Sequence, residues 1–282
     1  MTALTEFAPA KINLALHVLG RRADGRHEID SLVAFADVGD ELRFESAGEF
    51  CVTAAGPFAH SLPNAESNII LAAWRVVSEI AKARGRHLPP VAARLTKNLP
   101  AAAGIGGGSA DAAAAMRGFL RVAEIEVDDD IREAALSLGA DVPVCLLGKA
   151  CRMQGVGERI TRLDNFEPMH AVLINPLIAV PTSQVFEKLG LAIGEKHGAR
   201  LHNLSDAAAW RNDLTGPATT LAPVIADVLA ALENQTQLRF ARMSGSGATC
   251  FGVFENVDAA RQAESHLSTV FPQWWVRHTV LG

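Results

Sequence analysis

Leu99-Pro100-Ala101-Ala102-Ala103-Gly104-Ile105-Gly106-Gly107-Gly108-Ser109-Ala110-Asp111-Ala112-Ala113-Ala114-Ala115 is the stretch that decides how this chain reads. Four of the five positions 104–108 are Gly. Glycine loses more backbone entropy on folding than any other residue, so a cluster of it needs a reason. The reason here is that backbone N–H groups converge with no Cβ in the way. A helix is predicted from about Ser109. The unpaired N–H groups and positive dipole end of a helix start attract anions, so loop and helix together fit a polyphosphate. Two familiar phosphate patterns fail. GxxxxGK[ST] needs Lys where Ser109 follows Gly108, and GxGxxG from Gly104 needs Gly at 109. A flexible turn without a ligand is the alternative.

Outward from that stretch, residues 11–20 read as a strand ending in Gly20, with a turn over 21–27 marked by Ala23-Asp24-Gly25. Residues 31–45 read as one or two strands, broken at Val38-Gly39-Asp40. From Asn68 to Ala83, Ile69, Ala72, Ala73, Val76, Val77 and Ile80 recur at helical spacing, with Ser67 or Asn68 as the cap. Strands are predicted at 91–96, 171–175 and 251–254, and helices at 129–138, 218–233 and 258–270. A polar loop is predicted near 190–205. Strands and helices interleave without a regular βαβ beat, which indicates α+β. A domain boundary is placed at about 160, among the Gly155, Gly157 and Pro168 turns, giving domains 1–160 and 161–282.

The chain has 282 residues, enough for two modest domains at roughly 100–200 residues each. Hydrophobic residues make up 49% and charged residues 20%, which suits a globular protein with real cores. A net charge of −5 argues against nucleic acid as the main partner, because phosphate backbones select basic faces. Cys51, Cys145, Cys151 and Cys250 form no CxxC pair and read as reduced, mostly buried cysteines of a cytoplasmic protein. The first six residues lack the pattern of a signal peptide. The longest apolar run, near 171–180, is interrupted by Asn175 and Pro176 and is too short to span a bilayer.

The Gly-rich stretch resembles the second motif of the GHMP kinases. Two further matches stand in the same order: Ala8-Pro9-Ala10-Lys11-Ile12-Asn13-Leu14 and Met243-Ser244-Gly245-Ser246-Gly247-Ala248-Thr249-Cys250-Phe251. Gly20 to Gly25 with His27, Gly139-Ala140-Asp141-Val142-Pro143 and Asn212-Asp213-Leu214 are most similar to the branch acting on the cytidine diphosphate derivative of a sugar alcohol. The resemblance spans nearly the whole chain. It implies an N-terminal ATP-binding domain, a ferredoxin-like C-terminal domain, an active site in the cleft between them, and ATP with Mg²⁺ as cofactors. Neither nucleic acid nor membrane is implied as a partner.

The resemblance also implies roles. Asp141 matches the catalytic Asp and Lys11 the catalytic Lys. A base at the alcohol's proton, with a cation to balance phosphate charge, is what this transfer needs. Residues 100–110 (Pro100, Ala101, Ala102, Ala103, Gly104, Ile105, Gly106, Gly107, Gly108, Ser109 and Ala110) match the ATP site, with Asn68 and Lys97 on the adenine side. Ser109 is also the candidate for Mg²⁺ contact. Asp111, in the helix's first turn, would repel phosphate, so it is expected to face away or toward metal. Asn13, Arg26, His27, Thr182 and Phe186 match the acceptor pocket, and Ser244, Gly245, Ser246 and Gly247 a second phosphate loop.

The sequence departs from the family in one respect: it contains no Tyr. The aromatics that the family places before the His and a few residues later are Arg26 and Val33 here. A guanidinium stacks on π faces, so Arg26 is a candidate replacement for the missing ring. Two other readings stay open: a GHMP kinase for another small alcohol, of homoserine or mevalonate type, and a nucleotide-binding protein without catalysis. A Rossmann dehydrogenase lacks its third glycine.

Overall fold

The computed structural model of the chain describes residues 3–61, 68–202, 204 and 207–282. Two compact units emerge, each discontinuous in sequence. The first comprises Met1–Ala10, Gly39–Ala101 and Gly106–Gly148; the second comprises Lys11–Val38, Ala102–Ile105 and Lys149–Gly282. Two long strands, β1 (Leu4–Arg21) and β2 (His27–Ser46), contribute to both. The expected break at Val38-Gly39-Asp40 is absent: β2 runs through it, and the division between units falls there instead.

In the first unit, β4 (Val91–Thr96) pairs with β3 (Cys51–Ala55) in parallel and with the far half of β2 antiparallel, with Glu41 opposite Thr96. Among the described residues, four α-helices belong to this unit: α1 (Ile69–Ala83), α2 (Gly107–Val122), α3 (Asp129–Ala135) and α4 (Val142–Leu147). Helix α2 packs against α1 and α4. Its buried run Ala112 to Ala115 keeps that helix thin enough for two neighbours. At Gly118 a Cβ would stand 2.3 Å from the Phe44 ring, so this glycine admits the aromatic cluster of Phe44, Phe50, Trp74 and Phe119. Asn68 caps α1, accepting from the Ile70 N–H at 2.9 Å; the other candidate cap, Ser67, lies outside the described residues.

The second unit holds β5 (Cys151–Gly155), β6 (Arg159–Arg162), β7 (Met169–Asn175), α5 (Thr182–Leu189), α6 (Thr215–Leu221) and α7 (Val224–Glu233). It closes with β8 (Leu238–Met243), β9 (Cys250–Phe254), α8 (Val257–Val270) and β10 (Trp275–Leu281). Strand order β10-β7-β9-β8, antiparallel at every step, with α7 and α8 in the crossovers, is the split βαβ arrangement of a ferredoxin-like fold. The single helix expected over 218–233 is two, because Pro223 cannot donate a backbone hydrogen bond inside a helix. The α+β class is the one observed. Among the described residues no helix is long and apolar enough to cross a membrane.

Candidate active site

In the first unit, α2 starts at Gly107, two residues before the expected position. Its cap, Gly106, sits at φ 64°, a left-handed conformation that only glycine adopts freely. No side chain caps this end. The first-turn N–H groups therefore lack the usual internal partner, and the dipole favours negative charge. Ser109 is the third helical residue rather than the cap, and Gly139 lies beside its hydroxyl, 3.9 Å from where a Cβ on that glycine would stand. Two residues on, Asp141 is half-buried immediately before α4, and its side chain makes no capping bond to that helix. Pro143, in the first turn of α4, costs no hydrogen bond there.

Lys97 lies elsewhere than expected, whereas Asp111 faces away from the helix start as expected. Lys97 is only 3% exposed, and its ammonium bridges Asp40 and Asp111, with the Asp111 contact at 2.7 Å. It is enclosed in the unit's interior rather than offered to an adenine. Asn68 is engaged as a helix cap. Burial pushes the Asp111 carboxyl up to about 8, against the pull of Lys97 and with the push of Asp40. Asp111 thus faces inward, and its Oδ1 has no hydrogen-bond partner.

Residues 102–105 of the Gly-rich stretch belong to the second unit. There the Lys11 N–H donates to the Ile105 carbonyl at 2.9 Å, and the Thr249 N–H to the Ala103 carbonyl at 3.1 Å. Gly104 sits at φ 73°, and a Cβ on it would stand 2.5 Å from the Gly247 carbonyl oxygen. That glycine therefore permits the close approach of two loops, a need the sequence did not separate from phosphate binding. Of the residues matched to ATP, Ala101, Ala102 and Gly108 are exposed, whereas Pro100, Ala103, Ile105 and Ala110 are buried and fill the interior.

Lys11 and Asn13 do share one side of β1. The Lys11 ammonium lies 3.3 Å from Asn13 Oδ1, and Lys11 is 4% exposed. Asn13 donates its backbone N–H to Ser244 Oγ and its amide to Ser31 Oγ at 2.8 Å. Ser244 in turn donates to the Gly104 carbonyl. Asn212 donates to the Met243 and Gly245 carbonyls, both at 2.8 Å, so the Asn-Asp-Leu element holds the second small-residue loop in shape. Ser246 meets the Thr182 hydroxyl at 2.8 Å. Beside Lys11, burial raises the Cys151 thiol to about 11, although the lysine opposes this, so it is not a nucleophile at neutral pH.

His27 and Phe186 are brought together, ring centroids 4.6 Å apart, on the wall of a cavity of about 460 Å³ that Arg21 and Glu187 also line. Rings this close leave no slot for a base between them. His27 Nε2 is buried without a partner, and burial, then the Arg21 charge, keeps the ring below its usual pKa and so neutral. Arg26 is exposed on the adjoining turn, whereas Val33 is fully buried opposite Cys151 and takes no part in this cavity. Sequence reasoning missed Asp40 and Ser31. Ser31 carried a signal, a polar residue inside an apolar strand, which needs a partner. Asp40 was hidden in what read as a turn.

Two family models match the chain: GHMP kinases N terminal domain over residues 68–149 and GHMP kinases C terminal over 192–273. A curated relative from Roseobacter denitrificans, named 4-diphosphocytidyl-2-C-methyl-D-erythritol kinase, is 47% identical, covering 98% of this chain and 93% of its own. One of the same name from Paramagnetospirillum magneticum is 45% identical, covering 98% of each. A crystal structure of 4-(cytidine 5'-diphospho)-2C-methyl-D-erythritol kinase superposes with TM-score 0.82 at 32% identity, covering 99% of both chains. A homoserine kinase from Cytophaga hutchinsonii shares the fold, with TM-score 0.70 at 17% identity over 100% of this chain and 95% of its own. An uncapped glycine-led helix, three motifs in order and relatives matched over nine-tenths or more of their length lead to one conclusion: this chain is a kinase of the GHMP family, among the 4-diphosphocytidyl-2-C-methyl-D-erythritol kinases.

Proposed function

We propose that the chain transfers the γ-phosphoryl group of ATP to the 2-hydroxyl of 4-diphosphocytidyl-2-C-methyl-D-erythritol, in the non-mevalonate route to isoprenoid precursors. Kinases of this family use ATP. The observation that carries the chemistry is the start of α2, with no side-chain cap and with Gly139, two residues before Asp141, beside Ser109. The choice of alcohol is supported by the full-length relatives of that name.

Asp141 accepts the hydroxyl proton as the alcohol oxygen bonds to phosphorus and the bond to the ADP oxygen breaks. Lys11, held by Asn13, balances the developing charge. Mg²⁺ supplies charge neutralisation on the phosphates when bound. Ser109 is the residue that would hold it, since Mg²⁺ prefers hard oxygens and few protein ligands. Asp111 does not fit that role, being 1% exposed and bonded to Lys97. His27 and Phe186 receive the cytosine, with Nε2 of His27 able to bond a pyrimidine edge. The domains 1–160 and 161–282 remain our division by descent, supported by family matches that fall on either side of 160. We place the enzyme in the cytoplasm.

Incubation with MgATP and each of three alcohols tests the reading through ADP release. Turnover with the diphosphocytidyl substrate is expected, and ADP formed only with mevalonate or homoserine would reject the acceptor. Arg26→Ala is expected to raise the KM for the diphosphocytidyl substrate about threefold to tenfold, as loss of a stacked cation does, with kcat little changed. An unaltered KM would end the idea that Arg26 stands in for the ring.

A further inference from the structure

We infer that Asp40, Lys97 and Asp111 form a clip across the base of the Gly-rich loop, making Asp40 and Asp111 positioning residues for the nucleotide's phosphates. The inference rests on the kinase reading above. All three side chains are buried: Asp40 0%, Lys97 3% and Asp111 1% exposed. Asp40 accepts the backbone N–H of Asn98 at 2.5 Å and of Leu99 at 2.8 Å through one oxygen, and the Lys97 ammonium through the other. The same ammonium reaches Asp111, one turn inside α2, at 2.7 Å.

The loop's entry, 98–99, and its exit, the first turns of α2, are therefore tied to one lysine. The contact also accounts for Gly107. Its φ is not positive, yet a Cβ there would stand 3.3 Å from Lys97 Nζ, so the missing side chain makes room for the ammonium beneath the first helical residue. Between the two anchored ends lie four glycines, which offer no stiffness of their own.

Burying charges costs several kcal/mol per ion, on the order of what apolar substitutes would avoid, so stability alone is a poor account of such a triad. Fixing geometry is a better one. The N–H groups at the start of α2 bind phosphate well only if they are aimed before the ligand arrives.

The test is titration with a non-hydrolysable ATP analogue and Mg²⁺, without acceptor, so that it reads nucleotide binding whichever alcohol is the substrate. Loss of turnover in the wild type would count against the proposed function and not against the clip. The double variant Lys97→Met/Asp40→Asn removes the ammonium and the carboxylate charge together, and the Asn oxygen remains for the two backbone donors. It is expected to keep its thermal midpoint within a few degrees and to weaken nucleotide binding about tenfold or more. Asp111→Asn, which keeps an oxygen for Lys97, should weaken it by less than about threefold. Nucleotide affinity within twofold of wild type in a folded double variant would overturn the clip. If the double variant does not fold, Asp40→Asn decides: it keeps an acceptor for Asn98 and Leu99 but turns an N–H toward Lys97. Unchanged affinity in that variant would equally overturn the proposal, and a loss of about tenfold would support it.

Discussion

Asp141→Asn is expected to lower kcat by about 10²- to 10⁴-fold, the range that a positioned general base contributes. Nucleotide affinity should stay near wild type, because the phosphate contacts we propose are made by backbone N–H groups. The fold should also persist, since Asp141 lies only half-buried and Asn is nearly its isostere. Asn keeps the shape and cannot take the proton. Single-turnover kinetics isolate the chemical step, with a thermal melt as the control for folding. A variant that still turned over within tenfold of wild type would remove Asp141 from the role of base and leave charge stabilisation as the main source of rate.

The second large effect is on stability. Arg152→Met is expected to cost about 3 kcal/mol at neutral pH, because it strands a buried carboxylate. Asp30 is 0% exposed and accepts from Arg152 Nε at 2.8 Å and Nη2 at 2.6 Å, and from the Leu201 N–H at 3.0 Å. Burial alone would raise its pKa, but the guanidinium and the Leu201 N–H outweigh it and hold the carboxyl below its ordinary 3.8. A depressed native pKa contributes stability that is present above 3.8 and is lost as pH falls through the native value. Without Arg152 the burial effect wins and the sign reverses, so the variant gains stability as its carboxyl protonates. The gap between the two proteins should therefore be widest near neutral pH and narrow toward pH 4, read from urea midpoints across that range. A gap that stays constant with pH would show that Arg152 acts through packing alone.

Much of the site was legible because it is local. The glycine run, the helix after it, the pairing of Lys11 with Asn13 along one strand face and the cap at Asn68 follow from backbone geometry within a few residues. The aromatic departure at Arg26 and Val33 was visible too, and it places one residue on the exposed turn by His27 and the other in the core. Lys97 was misplaced because nothing within a short window tells a solvated lysine from a buried one. Its partner Asp40 stands 57 positions away. Gly104 and Gly107 likewise looked alike in the sequence, yet one admits a carbonyl of a distant loop and the other an ammonium.

The sequence by itself determined the α+β class, the glycine-led helix start and the identity of the motif residues, because periodicity, glycine's conformational freedom and unpaired helix-end N–H groups are properties of neighbouring residues. Only the tertiary structure decided which polar side chains are buried together, where Pro223 divides a helix, and that β2 continues through Gly39. Those outcomes depend on which distant groups desolvate one another, and the energy of a charge or hydrogen bond is set by that company rather than by its place in the chain.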